Sequence, residues 1–164
     1  MRYTILALAA LTAAVQPAAA QPANAAECTR LSAAAVEGQF SRFTTALATR
    51  NPDAMVGLFA PDAVLLPTLS NTPRTTPAAV RDYFVHFLAK SPSVHVDTTT
   101  IHSDCHSAER VGTWTWTLTD PATHHSSQVR GRYSFIYRLD GDQWRIDHLH
   151  SSLMPEAETR TAHR

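Results

Sequence analysis

The chain has 164 residues, with 14 basic and 14 acidic side chains and a formal net charge of zero. Balanced charge excludes the basic face of a nucleic-acid binder. Hydrophobic residues make up 44% of the chain, which is enough for one core of ordinary size.

Met1-Arg2 followed by the apolar run from Ile5 to Val15 reads as an export signal. Residues 1–26 are assigned to it, with cleavage after Ala20, or after Ala25 or Ala26. The run is too short to span a bilayer. The mature protein is therefore expected to be periplasmic or secreted and free of the membrane. Two cysteines, Cys28 and Cys105, are an even count in an exported chain, so they are expected to form a disulfide.

Leu31, Ala35, Val36, Phe40, Phe43 and Leu47 recur at helical steps and predict a helix over 29–49. Asn51 and Pro52 open a short second helix through Phe59. Residues 63–67 predict a short apolar strand. A polar loop leads to Thr76 and Pro77, the cap and first residue of a third helix that reaches about Lys90. Beyond Val94 the chain is β-rich. Residues 111–119 alternate cleanly, with Trp114, Trp116 and Leu118 on one face and three threonines on the other. Residues 128–138 place Tyr133, Phe135 and Tyr137 on one face. Arg130, Arg132, Ser134 and Ile136 share the opposite one. An Asp140-Gly141 turn joins this strand to a last one that ends in His148-Leu149-His150-Ser151-Ser152. Residues after Pro155 predict a flexible tail.

This order predicts an α+β fold, a cone-shaped curved antiparallel sheet packed on about three N-terminal helices. Aromatic residues on both strand faces are expected to bury both. A second copy of the chain is then the natural cover for the outer face, giving a homodimer.

A family pattern runs through Asn51-Pro52-Asp53-Ala54, Leu58-Phe59-Ala60-Pro61-Asp62-Ala63-Val64-Leu65-Leu66-Pro67, Val80-Arg81-Asp82-Tyr83-Phe84 and the block from Trp144 to Pro155. Over these segments the chain resembles the nuclear transport factor 2-like, or SnoaL-like, superfamily. Within it the chain is most similar to SgcJ/EcaC-type proteins and to the association domain of calcium/calmodulin-dependent protein kinase II. The resemblance implies a SnoaL-like association-type domain over residues 27–155, a pocket between sheet and helices, and dimerisation through the sheet. Ser134 and Ser151 stand where the kinase domain has two pocket arginines, so this chain departs from that constellation. Arg74, Arg81, Arg130 or Arg132 are the candidate replacements.

The strand-end histidines His148 and His150 lie two apart, on the face expected to carry Trp144 and Ile146. Such a pair in an apolar pocket could act as base and acid. The expected pocket also includes Tyr83, Tyr133, Trp114, Trp116, Arg74, Arg130, Arg132, Ser134 and Ser151. No motif for a cofactor or a metal stands out. The leading expectation is a module that binds a small organic acid or carbonyl compound. A cofactor-independent lyase or isomerase using the histidines is the second reading, and a purely structural association domain the third.

Overall fold

The structure is a computed structural model that describes residue 28 and residues 30–155. The export signal and the tail lie outside these residues. Among the described residues, no helix is long and apolar enough to cross a membrane.

Three helices come first: α1 (Ala33–Thr49), α2 (Pro52–Val56) and α3 (Pro77–Leu88). The second and third start at the expected caps, Asn51 and Thr76, whereas α1 starts later than the expected residue 29, at a Ser32 cap that the reading did not single out. The side chains of Ser32, Asn51 and Thr76 accept from backbone N–H groups that the first helical turn leaves free. Pro52 and Pro77 occupy first-turn positions where no N–H is needed. Arg81 on α3 pairs with Asp53 on α2 at 2.6 Å, binding the two helices at their exposed side. The second helix is shorter than expected. Its C-cap is Gly57, and Phe59 already belongs to the first strand.

Five strands form a single sheet: β1 (Phe59–Leu66), β2 (Ser93–Ser103), β3 (Ser107–Thr119), β4 (Ser126–Asp140) and β5 (Gln143–Leu153). The spatial order is β1-β5-β4-β3-β2, which places the predicted hairpin β4–β5 at the middle. Gly141 makes the hairpin turn at φ +63°, a conformation glycine adopts without strain. Four strands are antiparallel neighbours. β1 is the exception, running parallel to β5. Register shifts in β1, β2 and β5 bend the sheet over the helices.

The inner face of the sheet carries Trp114, Trp116, Tyr133, Phe135 and Tyr137, all nearly sealed from solvent. The helices supply Val36, Phe40, Phe43, Phe84 and Phe87 against them. The outer face is polar. It presents Thr113, Thr115 and Thr117 on β3 and Arg130, Arg132 and Ser134 on β4. The expectation of aromatic residues on both faces is therefore corrected. The large rings of β3 and β4 share one parity, because Trp114 pairs with Gly131 and so lies in phase with Tyr133.

Cys28 and Cys105 are bridged, with Cα atoms 4.7 Å apart. The bond fastens the segment before α1 to the short β2–β3 turn, at the end of the sheet.

Candidate functional site

A small cavity lies between the inner face and α3. Trp114 and Trp116 of β3 and Leu149 and Ser151 of β5 form one wall. Tyr83, Phe84 and Phe87 of α3 form the opposite wall, and Pro67, Thr68 and Leu69 cover it. Its volume is about 30 Å³. That is room for a water or two, not for a metabolite. The rings are closely set: Phe87 meets Trp116 edge-on at 5.1 Å and Tyr83 stacks on Phe87 at 5.5 Å.

The cover is the loop after β1. Leu65 and Arg74 close its base by exchanging two backbone hydrogen bonds of 2.9 Å. Inside that base, Thr68 hydrogen-bonds through its hydroxyl to Ser151 across the cavity. Leu69, at the loop's tip, is 39% exposed, unusual for a leucine beside a core. The loop is therefore held by two bonds at its root and one side-chain latch.

Outside the latch is an open pocket of about 200 Å³, lined by Leu69, Ser70, Arg74, Tyr83, His86, Phe87 and Lys90. It shares Leu69, Tyr83 and Phe87 with the inner cavity, so these three side chains are the partition. Two permanent cations, Arg74 and Lys90, face it, and among the described residues no carboxylate lines it. Arg74 donates from Nη1 to the Thr72 carbonyl at 3.2 Å and from Nη2 to Ser70 Oγ at 3.4 Å. Its buried Nε has no partner among the described residues. Burial pushes the Tyr83 phenol well above its usual pKa, while the Arg74 charge pulls it partly back. At neutral pH the hydroxyl is therefore a neutral group able to donate or accept.

Of the residues expected in the pocket, Tyr83, Trp114, Trp116 and Ser151 line the cavity and Arg74 stands at its mouth. The others do not join them. Arg130, Arg132 and Ser134 belong to the outer face of β4, by the same alternation that buries Tyr133, Phe135 and Tyr137. Tyr133 is inside but occupied elsewhere. Its hydroxyl receives a 2.5 Å bond from Arg110 Nη1 and donates to the Thr98 carbonyl at 3.0 Å.

His148 and His150 are also displaced, and a bulge is the cause. Ile146 pairs with Tyr137 and His148 with Ile136, so Asp147 is an extra residue with no opposite number. The inward residues become Ile146, Leu149 and Ser151. His148 and His150 turn outward with Asp147, whose carboxylate meets Arg138 at 2.7 Å. His148 donates from Nδ1 to the Val64 carbonyl at 2.9 Å, since a carbonyl can only accept. Among the described residues, the cavity lining contains no histidine, carboxylate or cysteine.

Sequence reasoning missed Arg110, which is 3% exposed on the inner face. Its guanidinium lies 3.7 Å from the centre of the Phe40 ring, and Nε reaches both oxygens of Glu37 at 3.3 Å. A start at Val111 concealed it. Extending the alternation of Trp114 and Trp116 backwards through Gly112 places Arg110 inside.

Among solved structures, the chain is similar to one from Xanthomonas campestris described as a calcium/calmodulin-dependent protein kinase II association domain. The identity is 40%, the TM-score 0.73, and the match covers 77% of this chain and 91% of that one. A nuclear transport factor 2-like superfamily protein from Salmonella enterica shares the fold at 16% identity and TM-score 0.67, covering 79% and 96%. A ketosteroid isomerase-like protein from Erwinia carotovora shares it at 13% identity and TM-score 0.63, covering 74% and 95%. No curated protein matches. The SnoaL-like domain family matches residues 40–146, so the chain belongs to that family.

Proposed function

We propose that this chain is an exported binding and association module, whose open outer pocket takes a compact apolar acid. The carrying observation is Arg74. A guanidinium whose buried Nε has no partner among the described residues lies beside Lys90 in the outer pocket, where no described carboxylate joins the lining. A buried donor left unpaired costs about 1–3 kcal/mol, and a charge-assisted bond to a carboxylate removes that cost. The apolar body of the ligand lies against Tyr83 and Phe87. To pass further in, it displaces Leu69 and opens the Thr68–Ser151 latch, at a cost of about 1 kcal/mol. Among the described residues the inner cavity offers no base and acid, and His86 of the outer pocket is turned toward Asp82 on the exposed side of α3. This favours a binder over a lyase or isomerase, and the outward turn of His148 and His150 removes the residues assigned to that chemistry.

Thermal shift and calorimetry with phenylacetate and its neutral amide test this reading. The acid is expected to bind at least about tenfold more tightly, a difference of 1.4 kcal/mol. Arg74→Gln is expected to abolish the preference. Equal binding of acid and amide refutes it.

Association with a second copy is proposed through the outer sheet face. Its support is the 40% identity to a protein described as an association domain. Val111, Thr113, Thr115, Thr117 and Ile136 on that face are half-buried within the single chain. Light scattering on the mature chain tests it, and a monomer at about 100 μM refutes it, since specific interfaces hold well below that concentration. Export is supported by the N-terminal apolar run and the disulfide.

A further inference from the structure

We propose that the outer pocket takes a ligand with two anionic ends, one held at Arg74 and the other at Lys90, across a flat apolar body. The occupants are then aromatic or cyclic dicarboxylates. This rests on the reading that Arg74 binds a carboxylate, and adds the second charge.

The two cations stand at opposite ends of one apolar floor. Arg74 lies by Tyr83, on whose phenol its charge acts. Lys90 comes seven positions after Tyr83, just past the last residue of α3. At about 1.5 Å per residue, these two backbone positions are roughly 10 Å apart along the helix axis. Phe87 continues the floor between them, stacked on Tyr83 at 5.5 Å. The pocket of about 200 Å³ has room for a benzene-sized ring on that floor.

Each end has donors to offer. At the Arg74 end, Ser70 Oγ accepts from Arg74 Nη2 at 3.4 Å and from the Thr72 N–H at 3.3 Å. Its own proton is left to donate, so Ser70 and the Arg74 Nε give that end two donors. At the other end Lys90 is half-buried. The Asp120 carboxylate feels its charge, but accepts its hydrogen bonds from Ala122 and Thr123 in its own turn. His86 is not the second cation, since its side chain is 79% exposed and lies 3.7 Å from Asp82. The C-terminal end of α3 presents carbonyl groups and a partial negative charge, which repel an anion. An anionic group at this end is therefore held through the Lys90 ammonium. A monoanion at Arg74 leaves that cation unanswered, whereas a diacid of matching length answers both.

Phenylacetate, 4-carboxyphenylacetate and 4-carbamoylphenylacetate are the probes, titrated by calorimetry into the mature chain at low salt. The diacid is expected to bind about fivefold more tightly than phenylacetate, the upper end for a solvent-accessible ion pair. The carbamoyl compound has the same shape without the second charge, and stays within about twofold of phenylacetate. Lys90→Gln abolishes the diacid advantage and leaves phenylacetate within about twofold, Lys90→Arg keeps the advantage, and Arg74→Gln weakens both acids. Raising salt from ~20 to ~300 mM narrows the advantage. A diacid no tighter than phenylacetate, with Arg74-dependent binding, overturns this inference and leaves the acid-binding reading standing. So does a diacid advantage that survives Lys90→Gln. Tighter binding of phenyl phosphate than of the diacid places both charges on one group and overturns the two-ended arrangement. Binding of neither acid overturns both readings. The comparison of diacid with carbamoyl compound needs no variant, and equal affinities there are sufficient to overturn the inference.

Discussion

Replacing both bridged cysteines by serine tests how the N-terminal segment is held. The bond joins residues 77 apart in sequence, so its loss frees a long loop in the unfolded chain. In the chain-entropy account a loop of that length is worth about 4.5 kcal/mol. A domain of roughly 130 residues unfolds with an entropy near 0.27 kcal/mol/K, so the loss lowers Tm by about 17 °C. The native turn itself survives, because Asp104 donates its backbone N–H to the Ser107 carbonyl at 2.8 Å without help from the bridge. Near-UV circular dichroism at 20 °C is therefore expected to be unchanged. Calorimetric melts of oxidised protein, reduced protein and the double serine variant measure the difference, and intact mass confirms the two-proton change on reduction. The reasoning is refuted if both reduction and substitution move Tm by less than about 4 °C, since a tether of this span cannot then be restricting the unfolded chain.

Four further outcomes follow from the geometry. His148→Ala is expected to cost about 1 kcal/mol through the lost bond to Val64, with His150→Ala near neutral, and neither alters acid binding by calorimetry. Gly38→Ala, on an open surface of α1, is expected to stabilise by about 0.5–1 kcal/mol in urea melts, whereas Gly112→Ala destabilises by about 2–3 kcal/mol, because its Cβ would overlap the Thr98 carbonyl. Arg110→Ala is expected to cost about 3 kcal/mol and Arg110→Met much less, since Met refills the space against Phe40 and leaves no buried charge; equal losses would contradict this. Asp53 and Asp62 are held below the usual carboxylate range, chiefly by hydrogen bonds from Arg81 and Arg138. Their depressed folded-state pKa values make each pair stabilising above the unfolded value of about 3.9, with the contribution lost as pH falls through the folded value. Melts of Asp53→Asn and Asp62→Asn should therefore converge on wild type at the acid end of a pH series.

Placement of the site on α3 and β3 was readable because both elements announce themselves. Thr76-Pro77 positions the start of α3, and Val80, Phe84 and Phe87 then fall on its buried side. The Trp114–Trp116 alternation selects the inner face of β3. The latch was not readable. Thr68 and Ser151 are 83 residues apart and belong to no shared motif, and they meet only because β1 pairs with β5. A parallel pairing made by distant strands leaves little local trace.

Local chemistry in the sequence determined the caps of the second and third helices, the hairpin turn at Gly141, the cysteine pair and the inner parity of β3 and β4. Each rests on residues within a few positions of one another, or on a period of 3.6 or 2. Tertiary structure decided three things. The extra residue at Asp147 reversed the histidines, because a bulge is selected by pairing across strands rather than by the bulged strand itself. Arg110 could be buried because Glu37, Phe40 and Tyr133 converge on it from α1 and β4. The width of the cavity depended on how closely aromatic rings from separate elements pack, and packing volume is a property of the assembled core.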